Sequence, residues 1–236
     1  MDISIVVPVY NEQESLLVTH KRIREVFEPL EYKYEIIYVN DGSTDDSLHI
    51  IMEFQKRLEA KVIDFKKNTG QTSALAEGFR VSQGKYVLTI DADLQYEVGD
   101  YLRILKELES CDMSIGYRSN RLKSDGFLKF FSMKVSNFVR NIALNEKIKD
   151  AGCSFRGFRR ESLTELKLWG DCQVFIPSLL LLQGKKIKQI PVKTYPRRYG
   201  RSKFNIRNRL VRALADLQVV SRIKKQSKSF KEPLGS

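Results

Sequence analysis

The chain has little of what metal, redox and disulfide chemistry usually draws on. Its 236 residues hold three cysteines and two histidines. Cys111, Cys153 and Cys172 are far apart and odd in number, which fits neither a zinc spacing nor a disulfide framework. Free thiols in a reducing compartment are the expectation. His20 and His49 both fall in predicted surface helices, so neither a histidine metal site nor a histidine-based triad is expected. Long apolar runs are missing too. The longest, Val174–Leu182, is interrupted by Pro177, and a membrane-spanning helix needs roughly 20 such residues. No leader is read at the start, where Met1-Asp2 runs straight into a strand pattern. No GxGxxG follows a strand. Gly78…Gly84-Lys85 fails as a phosphate loop, because five residues separate the glycines and Tyr86 stands where Ser or Thr is needed.

Acids are also under-represented. Against 41 Lys and Arg stand 29 Asp and Glu, a formal charge of +12, which predicts an anionic partner: nucleic acid, anionic lipid or a phosphorylated substrate. The bias is concentrated. Lys185–Lys225 carries fourteen basic residues and one acid, Asp216.

What is present is an alternation of strands and helices. Ile3–Val9 is an apolar run of the kind found in buried parallel strands. Asn11 to Glu14 has the spacing of a capping box, and a helix is predicted through Phe27. Tyr34–Asn40 reads as a second strand, with Ser43 or Thr44 capping a helix that reaches Leu58. Lys61–Phe65 is a third strand, Gln71–Gln83 a helix with Gly84 as its C-cap, and Lys85–Ile90 a fourth strand. Val98–Ser110 is a helix and Cys111–Gly116 a fifth strand. Later, Phe127–Ala143 reads as an aromatic-rich amphipathic helix and Ile187–Val192 as a strand. In Ile206–Ile223 the apolar positions recur at helical spacing beside arginines. The alternation argues for an α/β fold, a mostly parallel central sheet with helices on both faces. A single domain is expected over 1–205, a basic interfacial helix over 206–225 and a disordered tail over 226–236.

The polar groups gather where strands end. Asp41 follows the second strand. Asp91 and Asp93 flank one residue after the fourth, where two carboxylates can hold a divalent cation and, through it, a diphosphate. Oxygen ligands favour Mg²⁺ or Mn²⁺. Each motif alone has an ordinary reading: a solvated turn for Asp91-Ala92-Asp93, an Asx-turn or helix cap for Asp41. An EF-hand is excluded, because Tyr96 stands where its glycine is required. In open α/β sheets, ligands bind outside the carboxyl ends of the strands.

Seven segments appear in one order: VVPVYNEQESL, VNDGSTDDS, NTGQTSALAEGFR, DADLQ, GYRSNR, DAGCSFRGFRR and PRRYGRSKFN. That series resembles family 2 glycosyltransferases of the GT-A (Rossmann-like) fold, above all the dolichyl- and polyprenyl-phosphate group. The likeness spans Ile3 to Asn205. It implies that Pro8, Tyr10, Glu12 and Asp41 hold the donor nucleoside, with Gln71 near the base or diphosphate. It implies that Asp91, Ala92 and Asp93 meet the diphosphate, and that Asp91, Asp93 and Gln95 bind Mg²⁺ or Mn²⁺. Arg118, Arg121, Arg198, Ser202 and Lys203 would grip the donor diphosphate or the acceptor phosphate. Four positions depart from the pattern: Asn40 where many relatives have Asp, Ala92 in the metal motif, and Gln173-Val174 where relatives often read His-Arg.

The function implied is inverting transfer of a sugar from a nucleotide-sugar donor, UDP-linked rather than GDP-linked, to polyprenyl or dolichyl phosphate. A lipid phosphate is already an anion and needs no base, only cations to hold it beside the diphosphate. A hydroxyl acceptor, the alternative, would need a base near the anomeric carbon. Asp150 is the candidate for that role, against a structural pairing with Arg156, Arg159 or Arg160. The enzyme is expected at the cytoplasmic face of a membrane, attached peripherally to anionic lipid through Ile206–Lys225 and Phe127–Val139. A membrane partner subunit or a homo-oligomer is left open. No nucleic-acid partner is expected, because the rim carboxylates would repel its phosphates.

Overall fold

The computed structural model describes residues 1–119, 127–196 and 219, 222 and 223. Seven strands form one sheet: β1 (Ile3–Val9), β2 (Tyr34–Asn40), β3 (Lys61–Asp64), β4 (Tyr86–Thr89), β5 (Met113–Arg118), β6 (Arg156–Arg159) and β7 (Ile187–Val192). Their order across the sheet is β3-β2-β1-β4-β6-β5-β7. Only β6 runs antiparallel, to β4 on one side and β5 on the other. The helices are α1 (Gln13–Phe27), α2 (Ser47–Lys56), α3 (Gln71–Val81), α4 (Tyr101–Leu108), α5 (Phe127–Leu144) and α6 (Ile176–Leu182).

β1 is central and apolar on both faces because both are covered. The alternation of side chains along β6 shows how. A side chain at Gly157 would meet Ile104 and Leu108 of α4, while Phe158, on the other face, packs edge-on against Phe79 of α3 at 5.4 Å. Helices therefore lie on both faces. Pro8 sits in this central strand without costing a ladder bond to β4, because β4 pairs only with Ile3–Val6. The edge strand β7 carries Lys188 and Pro191, which discourage pairing with another sheet.

β1 and β2 end in register, Val9 opposite Asn40, so the loops after them leave side by side. They are stitched together. The Asn11 side chain accepts from the Thr44 N–H at 2.7 Å, and the Asn11 N–H donates to Ser43 at 3.0 Å. This corrects two expectations. Asn11 has a positive φ of 54° and bonds across the gap instead of closing a capping box. Ser43 and Thr44 are used in the same way, so α2 starts only at Ser47. Gly84 is not a C-cap either: α3 ends at Val81, and Gly84 lies where a Cβ would come within 2.5 Å of the Ser4 nitrogen.

β6 and α6 have no counterpart in the sequence reading. Arg-Gly-Phe-Arg lacks an apolar run, and α6 lies within the short apolar run broken by Pro177, which here opens the helix. His20 is buried, not on the surface as expected. Its ring stacks on Phe54 at 3.9 Å and bonds Tyr38 and Glu59 at 3.1 and 3.3 Å. All three cysteines are buried free thiols.

Candidate active site at the carboxyl rim

The rim collects the loops after β1, β2, β4 and β5. Antiparallel β6 adds the segment that precedes it, because Arg156 pairs with Thr89 at the end of β4. Residues 150–155 thereby reach the same edge.

Asp91 lies just past β4. One carboxylate oxygen accepts from the Gln71 side chain at 2.8 Å, and the other accepts from the Ser154 hydroxyl. Ser154 was not among the residues singled out from the sequence. Only the antiparallel return of β6 brings it to Asp91, 63 residues away. Ala92 is buried, and its carbonyl accepts from Thr19 of α1 at 3.0 Å. Asp93 is buried and takes the Gln95 N–H at 3.2 Å, an Asx-turn. The Gln95 carbonyl in turn accepts from the Tyr195 N–H at 3.0 Å. Asp91, Asp93 and Gln95 can offer oxygen donors, the kind a hard divalent cation takes; among the described residues no group of three or more His, Cys, Asp or Glu side chains is placed to hold a metal ion.

Asp41 is buried and saturated by the neighbouring loop, the one between β3 and α3. Its carboxylate accepts from the Thr69 N–H at 2.7 Å, the Thr69 hydroxyl at 3.0 Å, the Gly70 N–H at 3.0 Å and the Asn68 amide at 3.1 Å. A carboxylate offers about four lone-pair sites, so Asp41 shapes the loop that leads into Gln71. Gly42 keeps the turn open: its φ is +66°, and a Cβ would lie 2.4 Å from the Lys67 backbone. Pro8, Tyr10 and Glu12 line the half-buried start of the first loop.

Arg118 ends β5. Its guanidinium meets Asp150 through two bonds of 2.6 and 2.7 Å. The two side chains are 15% and 4% exposed. Burial alone would pull the Arg118 pKa down, but the Asp150 hydrogen bonds outweigh it and raise the value. Asp150 therefore pairs with Arg118, not with Arg156, Arg159 or Arg160 as expected. Arg156 turns inward to main-chain carbonyls, and Arg159 donates to those of Leu108 and Glu109. Beside this pair runs a groove of about 670 Å³, lined by Tyr117, Arg118, Ser119, Ile148 and Lys149 and by Val135 and Phe138 of α5. Lys149 lies over the Tyr117 ring at 4.3 Å. The expected contacts Arg121, Arg198, Ser202 and Lys203 lie outside the described residues.

α5 is inverted along its second half. Asn137 and Arg140 are buried, bonded to the Lys149 carbonyl and to Glu146 at 2.9 and 2.7 Å. Val135, Phe138, Val139 and Ile142 are exposed, with Phe138 and Ile142 each at 66%. Those four fall on one face of the helix. Among the described residues, no helix is long and apolar enough to cross a membrane. Ile223 is fully buried against Cys172, Phe175 and Leu179 with Val219 beside it, so that end of the C-terminal stripe packs on the domain. The rest of 206–225 lies outside the described residues.

Comparison with known proteins agrees with this architecture. A dodecaprenyl-phosphate galacturonate synthase from Rhizobium johnstonii is 30% identical over 92% of the chain, which spans 65% of that relative's length. Glucosyl-3-phosphoglycerate synthase from Mycobacterium tuberculosis, solved with Mn²⁺, UDP and glucosyl-3-phosphoglycerate, superposes with a TM-score of 0.64 at 17% identity, over 94% of this chain and 76% of that one. A mannosyltransferase from Pyrobaculum calidifontis, solved with GDP-Man and Mn²⁺, gives a TM-score of 0.59 at 20% identity over 80% and 54% of the two chains. At such identities the two structures speak for the fold alone. The family model of glycosyl transferase family 2 matches residues 4–167, and with a sheet of this order and acids on its carboxyl rim, the chain belongs to that family.

Proposed function

We propose that the chain transfers a sugar, with inversion, from a nucleotide-sugar donor to a polyprenyl or dolichyl phosphate at a membrane surface. The donor favoured is UDP-linked, on the Asn68-Thr69-Gly70-Gln71 opening of α3. The observation that carries the acceptor class is the chemistry of the groove. Among its described lining residues the one carboxylate is Asp150, and both of its oxygens are held by Arg118. A carboxylate in a buried two-point pair is a poor proton acceptor. A hydroxyl acceptor would need one; a phosphate needs Arg118 and Lys149. The name of the Rhizobium relative, a synthase acting on dodecaprenyl phosphate, supports the same reading.

The donor nucleoside would lie over Pro8, Tyr10 and Glu12, with the Asp41-shaped loop and Gln71 beside it. Asp91, Asp93 and Gln95 would hold Mg²⁺ or Mn²⁺, which when bound neutralises charge on the departing diphosphate. Arg118 would orient the acceptor phosphate toward the anomeric carbon. Arg198 is assigned to the donor or acceptor phosphate on the resemblance. Arg121, Ser202 and Lys203 are assigned to the same phosphates on the resemblance alone. The exposed α5 stripe would enter the headgroup region and leave the groove facing the lipid. This makes the protein peripheral; the cytoplasmic face is assigned on the resemblance.

Paired acceptors test the proposal. Polyprenyl phosphate should yield labelled glycolipid, and the matching polyprenol none. Equal transfer to the polyprenol, or transfer only to a saccharide, would overturn it.

A further inference from the structure

Arg156 is 4% exposed, and among the described residues no carboxylate lies within ion-pair distance of it. Its guanidinium is spent instead on three main-chain carbonyls: Cys153 at 2.7 Å, Gln173 at 2.7 Å and Ala151 at 2.8 Å. Asp91 and Asp150 attract it only from beyond ion-pair distance, and a buried charge so held is costly. The position also breaks the apolar rule of a central strand, and local rule-breaking of that kind concentrates at functional sites.

Following the bonds outward from Arg156 gives a closed ring. The Cys153 carbonyl fixes the backbone beside Ser154, whose hydroxyl holds one oxygen of Asp91. The Ser154 carbonyl is pinned as well, by Thr89 at 2.8 Å. In the other direction, the Gln173 carbonyl fixes a residue whose side chain accepts from the Thr72 hydroxyl, and whose N–H donates to it at 3.3 Å. Thr72 is the neighbour of Gln71, which holds the second oxygen of Asp91. Both arms that orient the Asp91 carboxylate thus end on one guanidinium. Gln173, a departure from the family pattern, is a member of the ring.

We propose that Arg156 is a positioning residue for the metal site, acting on Asp91 through the Cys153–Ser154 and Gln173–Thr72–Gln71 arms. The inference rests on the reading of Asp91 as a ligand of the divalent cation. Outer-shell partners of ligating carboxylates typically control metal affinity by 10–100-fold.

The test is Mn²⁺ binding to the full chain in the presence of UDP, followed by electron paramagnetic resonance, with thermal melts to confirm folding. Thr72→Val removes a hydroxyl at nearly constant shape and should weaken Mn²⁺ about tenfold; Thr72→Ser keeps the hydroxyl and should restore wild-type affinity. Arg156→Lys, which keeps the charge but cannot reach three carbonyls, should weaken it at least as much. Folded Thr72→Val with wild-type Mn²⁺ affinity would overturn the inference, and so would a Thr72→Ser variant as weak as Thr72→Val. If Arg156→Lys fails to fold, the Thr72 pair decides. A wild-type chain that binds UDP but no Mn²⁺ would remove the metal reading of Asp91, and this inference with it.

Discussion

At the scale of single residues, Asp150 decides between two chemistries. A base would be exposed to the acceptor; Asp150 is buried and held by both arms of the Arg118 guanidinium and by the Arg118 N–H. Asp150→Asn should therefore loosen Arg118 and raise KM for lipid phosphate about tenfold, in line with the loss of a charge-assisted pair. The shape of the pH–rate profile should stay the same. Loss of the acidic limb from that profile, where protonation would silence a carboxylate base, would identify Asp150 as a base instead. Asp91→Ala and Asp93→Ala should each cost about 100-fold or more in kcat, since charge stabilisation at a leaving diphosphate is worth several kcal/mol. His20 makes a separate statement about pH. Burial, the largest cause, lowers its pKa from 6.5 in spite of Glu59. As pH falls below 6.5 the unfolded chain takes up the proton first, so stability declines through that window, by at most about 1.4 kcal/mol per pH unit. Urea midpoints measured from pH 7 to pH 5 should fall in the wild type and lose part of that slope in His20→Phe. Asp41 and Asp91 stood out in the sequence as acids at strand ends, and Gln71 through the resemblance, but the bonds that join Gln71 and Ser154 to Asp91 did not. Nothing local in the sequence joins Asp91 to Ser154, or Asp150 to Arg118.

At the scale of elements, β6 makes the site. A parallel strand in its place would send residues 150–155 to the far edge of the sheet. Its antiparallel direction follows from sheet order, which Arg-Gly-Phe-Arg does not encode locally. β1, β2 and β4 were legible because burial on both faces forces continuous apolar runs. Helix starts were misplaced where cap-forming residues bond across to a neighbouring loop, as Asn11, Ser43 and Thr44 do. α5 was legible as amphipathic, but not which face it buries: the loop at 145–150 claims its polar side chains and leaves the apolar ones outward. Burying one such side chain is worth about 1.5–3 kcal/mol. The double variant Phe138→Asp with Ile142→Asp should lose at least about tenfold in flotation with anionic liposomes, with little change in melting temperature. Unchanged flotation would place the membrane contact elsewhere.

At the scale of the whole molecule, the net charge of +12 coexists with an acidic rim. Cations along the groove and acids beside it are what two anionic substrates and a divalent cation require of one edge. The fold and the family were readable from seven ordered segments. The resemblance named the acceptor too, but not the pairing that occupies Asp150, because that depends on which charges the fold brings together. The most direct measurement is transfer of radiolabel from a panel of UDP- and GDP-sugars to a short polyprenyl phosphate, with Mg²⁺ or Mn²⁺ and with EDTA. Label should appear in the organic phase from a UDP-sugar and be abolished by EDTA and by Asp91→Ala. Label that stays aqueous with every donor, while a saccharide acceptor is glycosylated, would contradict it.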